Sequence, residues 1–419
     1  MANQDIQFDV AVIGAGPAGM MAAVQAAKNG ARVALIEKKD RAGIKLLMTG
    51  NGRCNLTQAE FDVNELVKKY GKNGRFLYAA FSQFGPKQVI DFFGHEKLKT
   101  KIEKGGKVFP KSDQGKDVLN VFIKLLKENN VNFFYESDIQ DFIIEDNKIV
   151  AVKMRKRTVC AEKYIIAVGG KSYPNTGSTG DGYAWAKKFG HEIIQPQPVL
   201  VPINTEPVYE ELQGVSIHNC EISLIQNNKK IAKVNGDMIF THFGISGPAV
   251  LNISRDARKA LEKGEVKISI DFKPFLSETQ LDEILRNDLE KNASKNFSNC
   301  LEDILSPKLR EFVLAHSGIN LEKHAANISK TERMKLMSTL KGFEFEIESL
   351  MGFEKAMVTR GGIATKEVDS KTMQSRIIEN LYFAGEILDV DGPTGGYNLQ
   401  MCWATGYVAG KAAFGRIRA

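Results

Sequence analysis

Cysteine is scarce in this chain of 419 residues: Cys54, Cys160, Cys220, Cys300 and Cys402, an odd number, widely spaced. No C-x-x-C occurs among them, which argues against a disulfide framework and a thioredoxin-type redox pair and points to a reducing, cytoplasmic setting. The six histidines show no metal-ligand spacing, so no metal is expected. Internal repeats and low-complexity tracts are absent too, which sets aside solenoids and long linkers. Charge of one sign is lacking: 57 Lys and Arg against 50 Asp and Glu leave +7, thinly spread. The densest cluster, Lys153–Arg157, reads as a solvated face, and no nucleic-acid partner is expected. The one long uncharged run, Val10–Ala27, covers eighteen residues, enough to raise the question of a membrane span. A GAGPAG in its middle breaks it into strand, turn and helix. The opening MANQDIQFD has neither a basic n-region nor a cleavage site, so neither a signal peptide nor membrane attachment is expected.

What is present begins inside that uncharged run. Phe8–Ile13 has strand length and apolar character, and stops at Gly14-Ala15-Gly16-Pro17-Ala18-Gly19, a G-x-G-x-x-G. Helix-forming residues follow to Lys28, Asn29-Gly30 ends the helix, and Arg32–Ile36 reads as a second buried strand. One glycine permits the tight turn, one lets a pyrophosphate touch the backbone, and one packs helix on strand. The helix then aims free N–H groups and its positive end at the phosphates. Glu37 lies eighteen residues past Gly19, where a carboxylate accepts both ribose hydroxyls and disfavours a 2′-phosphate. FAD and NAD both suit such a site better than NADP.

At this length two or three domains are expected. After Glu37 and Lys38, the loop Thr49-Gly50-Asn51-Gly52-Arg53-Cys54-Asn55 is dense in turn formers, and apolar Ile44, Leu46, Leu47 and Met48 tuck it inward. Lys45 and Arg53 suggest phosphate neutralisation, and the glycines expose backbone N–H groups to a flat ring. Cys54 reads as a small packed residue. Residues 60–130 are helical in pattern, with Gly105–Pro110 read as a loop. A hairpin follows across Glu145-Asp146-Asn147. Then Tyr164–Val168 forms a buried strand that stops at Gly169-Gly170, again where a doubly wound sheet meets its ligand. From Gln195 the texture becomes short strands, with Asn227-Asn228 and Asn235-Gly236 read as turns. Ser277-x-x-Gln280 and Ser329-x-x-Glu332 are capping boxes that frame a helical stretch over 277–341. Leu381–Ala384 is a late strand ending at Gly385-Glu386, and Gly395-Gly396 stand at the start of a helix over Tyr397–Ala413. That second positive helix end suits a carbonyl gaining charge on reduction.

The order of these pieces resembles the two-dinucleotide-binding-domain flavoproteins of the glutathione-reductase class. More closely, TGNGRCN, AVGGKSYPNTGSTGDGYAWA, FTHFGISGPA and AGEILDVDGPTGGYN resemble the BaiN/YhiN-type FAD-dependent oxidoreductases, relatives of aminoacetone oxidase, from residue 8 to about 413. The resemblance implies an α/β fold: a glutathione-reductase-type Rossmann FAD domain in two segments, 1–194 and 357–419, with an inserted β domain (195–276 and 342–356) and a helical subdomain (277–341). It implies noncovalent FAD, with Gly14–Gly19 on the pyrophosphate and Glu37 on the adenosine ribose. Lys45 and Thr49–Asn55 would line the flavin, and Gly385, Glu386, Gly395, Gly396, Tyr397 and Asn398 would close over its pyrimidine side. Val168, Gly169 and Gly170 stand at the adjoining strand end. Ile44, Asn51 and Gln58 depart from the family pattern.

The expected activity is hydride transfer between a small organic substrate and FAD, with a flavin-dependent RNA-modifying protein and a non-catalytic flavin sensor as alternatives. No second strand-linked G-x-G-x-x-G follows residue 19, so any NAD(P)H is expected to bind weakly. For catalysis the candidates are His242, a residue type that titrates near neutral pH, and Tyr397. The β domain is expected to roof the substrate pocket.

Overall fold

Over Val10–Ile13 strand β1 (Ile6–Ile13) is apolar without alternation because both its faces are covered there, as in parallel sheets; Val10, Ala11 and Val12 are wholly buried. It runs parallel to β2 (Val33–Ile36) on one side and to Thr158–Ile166 on the other. Outside β2 lies Asn132–Phe134, also parallel. Beyond Thr158–Ile166 the antiparallel strands Lys148–Met154 and Ile139–Glu145 complete the order. The late strand Leu381–Phe383 pairs in parallel with Tyr164–Ile166 and so returns the distal part of the chain to the sheet. The carboxyl ends of these parallel strands therefore share one edge. The structure is a computed structural model describing residues 6–415; the opening residues read above for a leader lie outside it.

Helix α1 (Pro17–Lys28) is buried almost all round, which is why its sequence has no polar face. It packs on the sheet and along the C-terminal helix Tyr397–Ala413, whose bounds coincide with the stretch read from sequence. The segments up to Pro198 and from Ala356 form one compact unit around this core. Lys107–Pro110, expected as loop, is instead a strand between Thr57–Gln58 and Thr100–Ile102. Its two partners, remote in sequence, satisfy the backbone groups of a segment too short to propagate by itself.

Val199–Lys355 forms the second unit. Its six strands close into an antiparallel barrel, in the order 203–206, 244–246, 229–241, 216–226, 267–271 and 343–350. Ile222, Leu224, Ile268, Ile270, Phe345 and Ile347 fill its core. The helices Glu278–Lys291, Pro307–His316 and Lys330–Lys341 share that same core through Leu285, Phe312 and Leu336. Both capping boxes form, Ser277 with Gln280 and Ser329 with Glu332. Asn235-Gly236 is not a turn. Lys229–Thr241 runs straight through it, and the shift in pairing between Ile217 and Cys220 absorbs the irregularity as a bulge. Pro248–Leu261, left unassigned above, is a helix opened by Gly247 and a proline in its first turn.

In the first unit one buried histidine closes a loop. His191 Nδ1 lies 3.2 Å from Glu367 Oε2 and Nε2 lies 2.9 Å from Ser375 Oγ. Ser375 Oγ already accepts from the N–H groups of Ile377 and Ile378, so it donates to Nε2 and the ring is neutral with its proton on Nδ1. Burial holds the imidazole below its ordinary value, against the opposing pull of Glu367. With the folded value below the unfolded one of about 6.5, the unfolded chain takes up the proton first as pH falls. Stability is therefore fully present above about pH 6.5 and declines as pH drops toward the folded value. The melting temperature is expected to fall across pH 7 to 5, with a flatter slope in His191→Asn. Equal slopes in the two proteins would refute the assignment.

Candidate cofactor-binding site

At the shared strand edge a cleft of about 1200 Å³, mouth included, opens between the end of β1, the end of β2 and the start of the C-terminal helix. Its floor is the first turn. Gly14 has φ +99°, and a Cβ there would meet the Ala167 carbonyl oxygen at 2.6 Å. Only glycine keeps the two strand ends that close. Above Gly16 a Cβ would meet nothing within 4 Å, so this is the bare backbone that a phosphate can approach. Gly19 leaves no room for a side chain because the Gly14 carbonyl packs on it. Helix α1 starts at Gly16 without a side-chain cap, which leaves its first N–H groups to a ligand.

Glu37 lines the cleft at the tip of β2. Its carboxylate is aimed by the backbone: Oε2 accepts from the Ala15 N–H at 2.8 Å and Oε1 from the Lys39 N–H at 2.9 Å. The remaining lone pairs suit a ribose diol. Lys38 also lines it and ties the neighbouring wall, donating to Thr179 at 2.5 Å and Asp181 at 2.7 Å. That wall, Thr176–Asp181, is a cleft element that the sequence reading above does not assign, although its glycines and hydroxyls are a local signal for one.

The other residues divide. Ala15, Pro17, Ala18, Lys45, Thr49, Val168, Gly169, Gly385, Glu386 and Asn398 line the cleft. Gly19, Gly50–Asn55, Gly170 and Gly395–Tyr397 are not among its lining residues. Helix α2 (Ile44–Met48) carries Lys45 and ends at Thr49, whose hydroxyl donates to the Leu46 carbonyl. Gly50, Asn51, Gly52 and Cys54 all have positive φ, so the loop is a succession of tight turns. Asn55 Oδ1 is buried without a partner among the described residues. Arg53 does not offer its charge to a phosphate: it pairs with Glu103 and Asp113 and lies 4.0 Å over the Phe109 ring. Burial pushes the Cys54 thiol up to about 12, and does the same to Cys402 on the cleft wall. Neither is a thiolate nucleophile at neutral pH.

The C-terminal helix begins at Gly396, again without a side-chain cap or an acid in its first turn. Asn398 supports that start by bridging Gly392 and Pro393. The Tyr397 phenol is held above its ordinary value by burial and by the charge of Glu60, so it keeps its proton. His242 lies in the second unit, exposed at the turn between Lys229–Thr241 and Gly244–Ser246. Ser172 and Thr359, which bond to Glu386, were not anticipated. Among the described residues no group of acids, histidines and cysteines could hold a metal, and no helix is long and apolar enough to cross a membrane.

Bare backbone over Gly16, an uncapped helix start and an aimed acid together fit a flavin dinucleotide. The family model described as HI0933-like protein Rossmann domain matches residues 8–412. The chain is 33% identical to a 3-dehydro-bile acid delta(4,6)-reductase of Clostridium scindens, covering 96% of this chain and 98% of that one. It is 30% identical to a ribosomal RNA dihydrouridine synthase of Escherichia coli, over 97% and 98%. Among solved structures, a 3-ketosteroid-delta4-(5alpha)-dehydrogenase from Rhodococcus jostii shares the fold, with TM-score 0.56 at 13% identity over 98% of both chains.

Proposed function

We propose, from the premise that this chain belongs to the HI0933-like Rossmann family of FAD-dependent oxidoreductases, that it reduces a carbon–carbon double bond conjugated to a carbonyl in a small organic substrate. The observation that carries this reading is chemical. A 3-dehydro-bile acid with 4,6 unsaturation has its double bonds in conjugation with an oxo group. Dihydrouridine formation saturates the uracil double bond, which is conjugated to a ring carbonyl. Two relatives aligned over almost their whole length thus act on one electronic class of substrate.

Bound FAD supplies the hydride chemistry. The chain supports that reading with Gly14–Ala18 and the start of α1 for the pyrophosphate, Glu37 for the ribose, and Lys45, Glu386 and Asn398 on the remaining wall. Saturating such a bond also requires a proton, and Tyr397, held protonated by its surroundings, is the proposed donor, with His242 the second candidate. NAD(P)H is proposed to bind weakly, outside any second Rossmann motif.

The test is anaerobic stopped flow of pre-reduced protein against cyclic enones, 3-oxo-4-ene steroids and a uridine-containing RNA fragment. Reoxidation by an enone in a single turnover, slowed in Tyr397→Phe, is the expected result. Inertness toward every conjugated acceptor would sink the reading. A second reading, reduction of uridine in RNA, is favoured by the dihydrouridine synthase likeness. It predicts reoxidation by the RNA fragment alone.

A further inference from the structure

Four segments remote in sequence meet around one carboxylate on the cleft wall. Glu386 Oε1 accepts from the Ser172 hydroxyl at 2.7 Å and from the Thr359 N–H at 2.8 Å, and Oε2 accepts from Lys45 Nζ at 2.9 Å. Lys45 also donates to Ser172 Oγ at 2.6 Å, which closes a triangle. Thr359 Oγ1 pins the serine's loop by accepting the N–H groups of Lys171 and Ser172. The packing is tight: a Cβ on Gly170 would come within 3.1 Å of Glu386 Oε1.

Ser172 is fully buried, while the Lys45 and Glu386 side chains are 23% and 13% exposed and both line the cleft. The serine has a single proton, directed at Glu386, so the ammonium must be the donor in the third contact. Lys45 thereby commits two of its three N–H groups inside the triangle. The third has no partner among the described residues. Within this group one positive and one negative charge offset each other.

We propose that Lys45, Ser172 and Glu386 form a charge-balanced group that sets the reduction potential of bound FAD. Reduction adds negative charge in the cleft; the Lys45 cation favours it and the Glu386 carboxylate opposes it. Ser172 is the positioning residue that holds both at fixed distance. The effect needs FAD in the cleft and is independent of substrate, so its failure would leave the conjugated-alkene reading standing.

The test compares Lys45→Met, Glu386→Gln and the double variant with wild type, all as FAD-loaded protein. The readouts are the midpoint potential by dye-coupled reduction and the affinity of the oxidised flavin for sulfite, which adds only to an electron-poor ring. Glu386→Gln is expected to raise the potential and tighten sulfite binding about tenfold, as unmasking a single charge on the cleft wall should. Lys45→Met is expected to lower the potential and weaken sulfite by a similar factor. The double variant should return close to wild type, which a merely structural role would not produce. A double variant as displaced as Lys45→Met would overturn the proposal. If Lys45→Met does not retain FAD, Glu386→Gln decides alone, and an unmoved potential overturns it.

Discussion

Replacing Gly16 with valine should leave a folded protein that barely binds FAD. Nothing lies within 4 Å of a Cβ at this position, and its φ of −79° is open to any residue. The folding cost is therefore confined to an apolar residue at the helix start, about 1 kcal/mol. The cofactor meets a different situation, because the space above Gly16 is where a pyrophosphate must touch the backbone. Two methyl groups there impose an overpacking penalty of about 1–3 kcal/mol, and they displace at least one charge-assisted hydrogen bond of about 1.5–3 kcal/mol. Together this is about 4 kcal/mol, roughly a thousandfold in affinity. Fluorescence titration of deflavinated protein, paired with its urea midpoint, checks both halves. A dissociation constant within threefold of wild type would mean that the phosphates lie elsewhere.

Gly406→Leu is expected to do the reverse and damage the fold itself. A Cβ at Gly406 would run into the Ala18 carbonyl of α1, with the Ala18 Cα at 3.1 Å, and one at Gly410 would meet the Ala22 Cα at 2.8 Å. The two glycines are one helical turn apart and face two alanines with the same spacing, so the helices touch backbone to backbone along that seam. A leucine there cannot swing aside, since the obstacle is main chain on both helices. Destabilisation should reach about 3 kcal/mol, the upper end for overpacking, and most of the expressed protein should be insoluble. Lys411→Ala, on the exposed face of the same helix, should stay within about 0.5 kcal/mol. Should Gly406→Leu unfold within 1 kcal/mol of wild type, the seam between α1 and the C-terminal helix is not as described. Loss of that seam would also shift α1, whose first turn forms the cofactor floor.

Much of this protein is local in origin. The strand, turn and helix over Ile6–Lys28 and the aimed acid Glu37 follow from apolar runs, glycine positions and charge within thirty-odd residues. So do the two serine capping boxes and the bounds of Tyr397–Ala413, because caps and helical periodicity act over a turn or two. Pro248–Leu261 belongs with these, since its Gly-Pro start is a local signal. Other features had no local signal. Lys107–Pro110 is a strand only because Thr57–Gln58 and Thr100–Ile102 flank it. Asn235-Gly236 stays extended because the barrel partner strand Ser216–Gln226 outweighs its turn preference. Arg53 is turned from phosphate to protein by Glu103 and Asp113, fifty and sixty residues away. The group around Glu386 joins Lys45, Ser172 and Thr359 across as many as 341 positions. Charge balance on the cleft wall is a property of that meeting: each residue type is legible in sequence, but a side chain's partner is settled only when the sheet brings its strand ends to one edge.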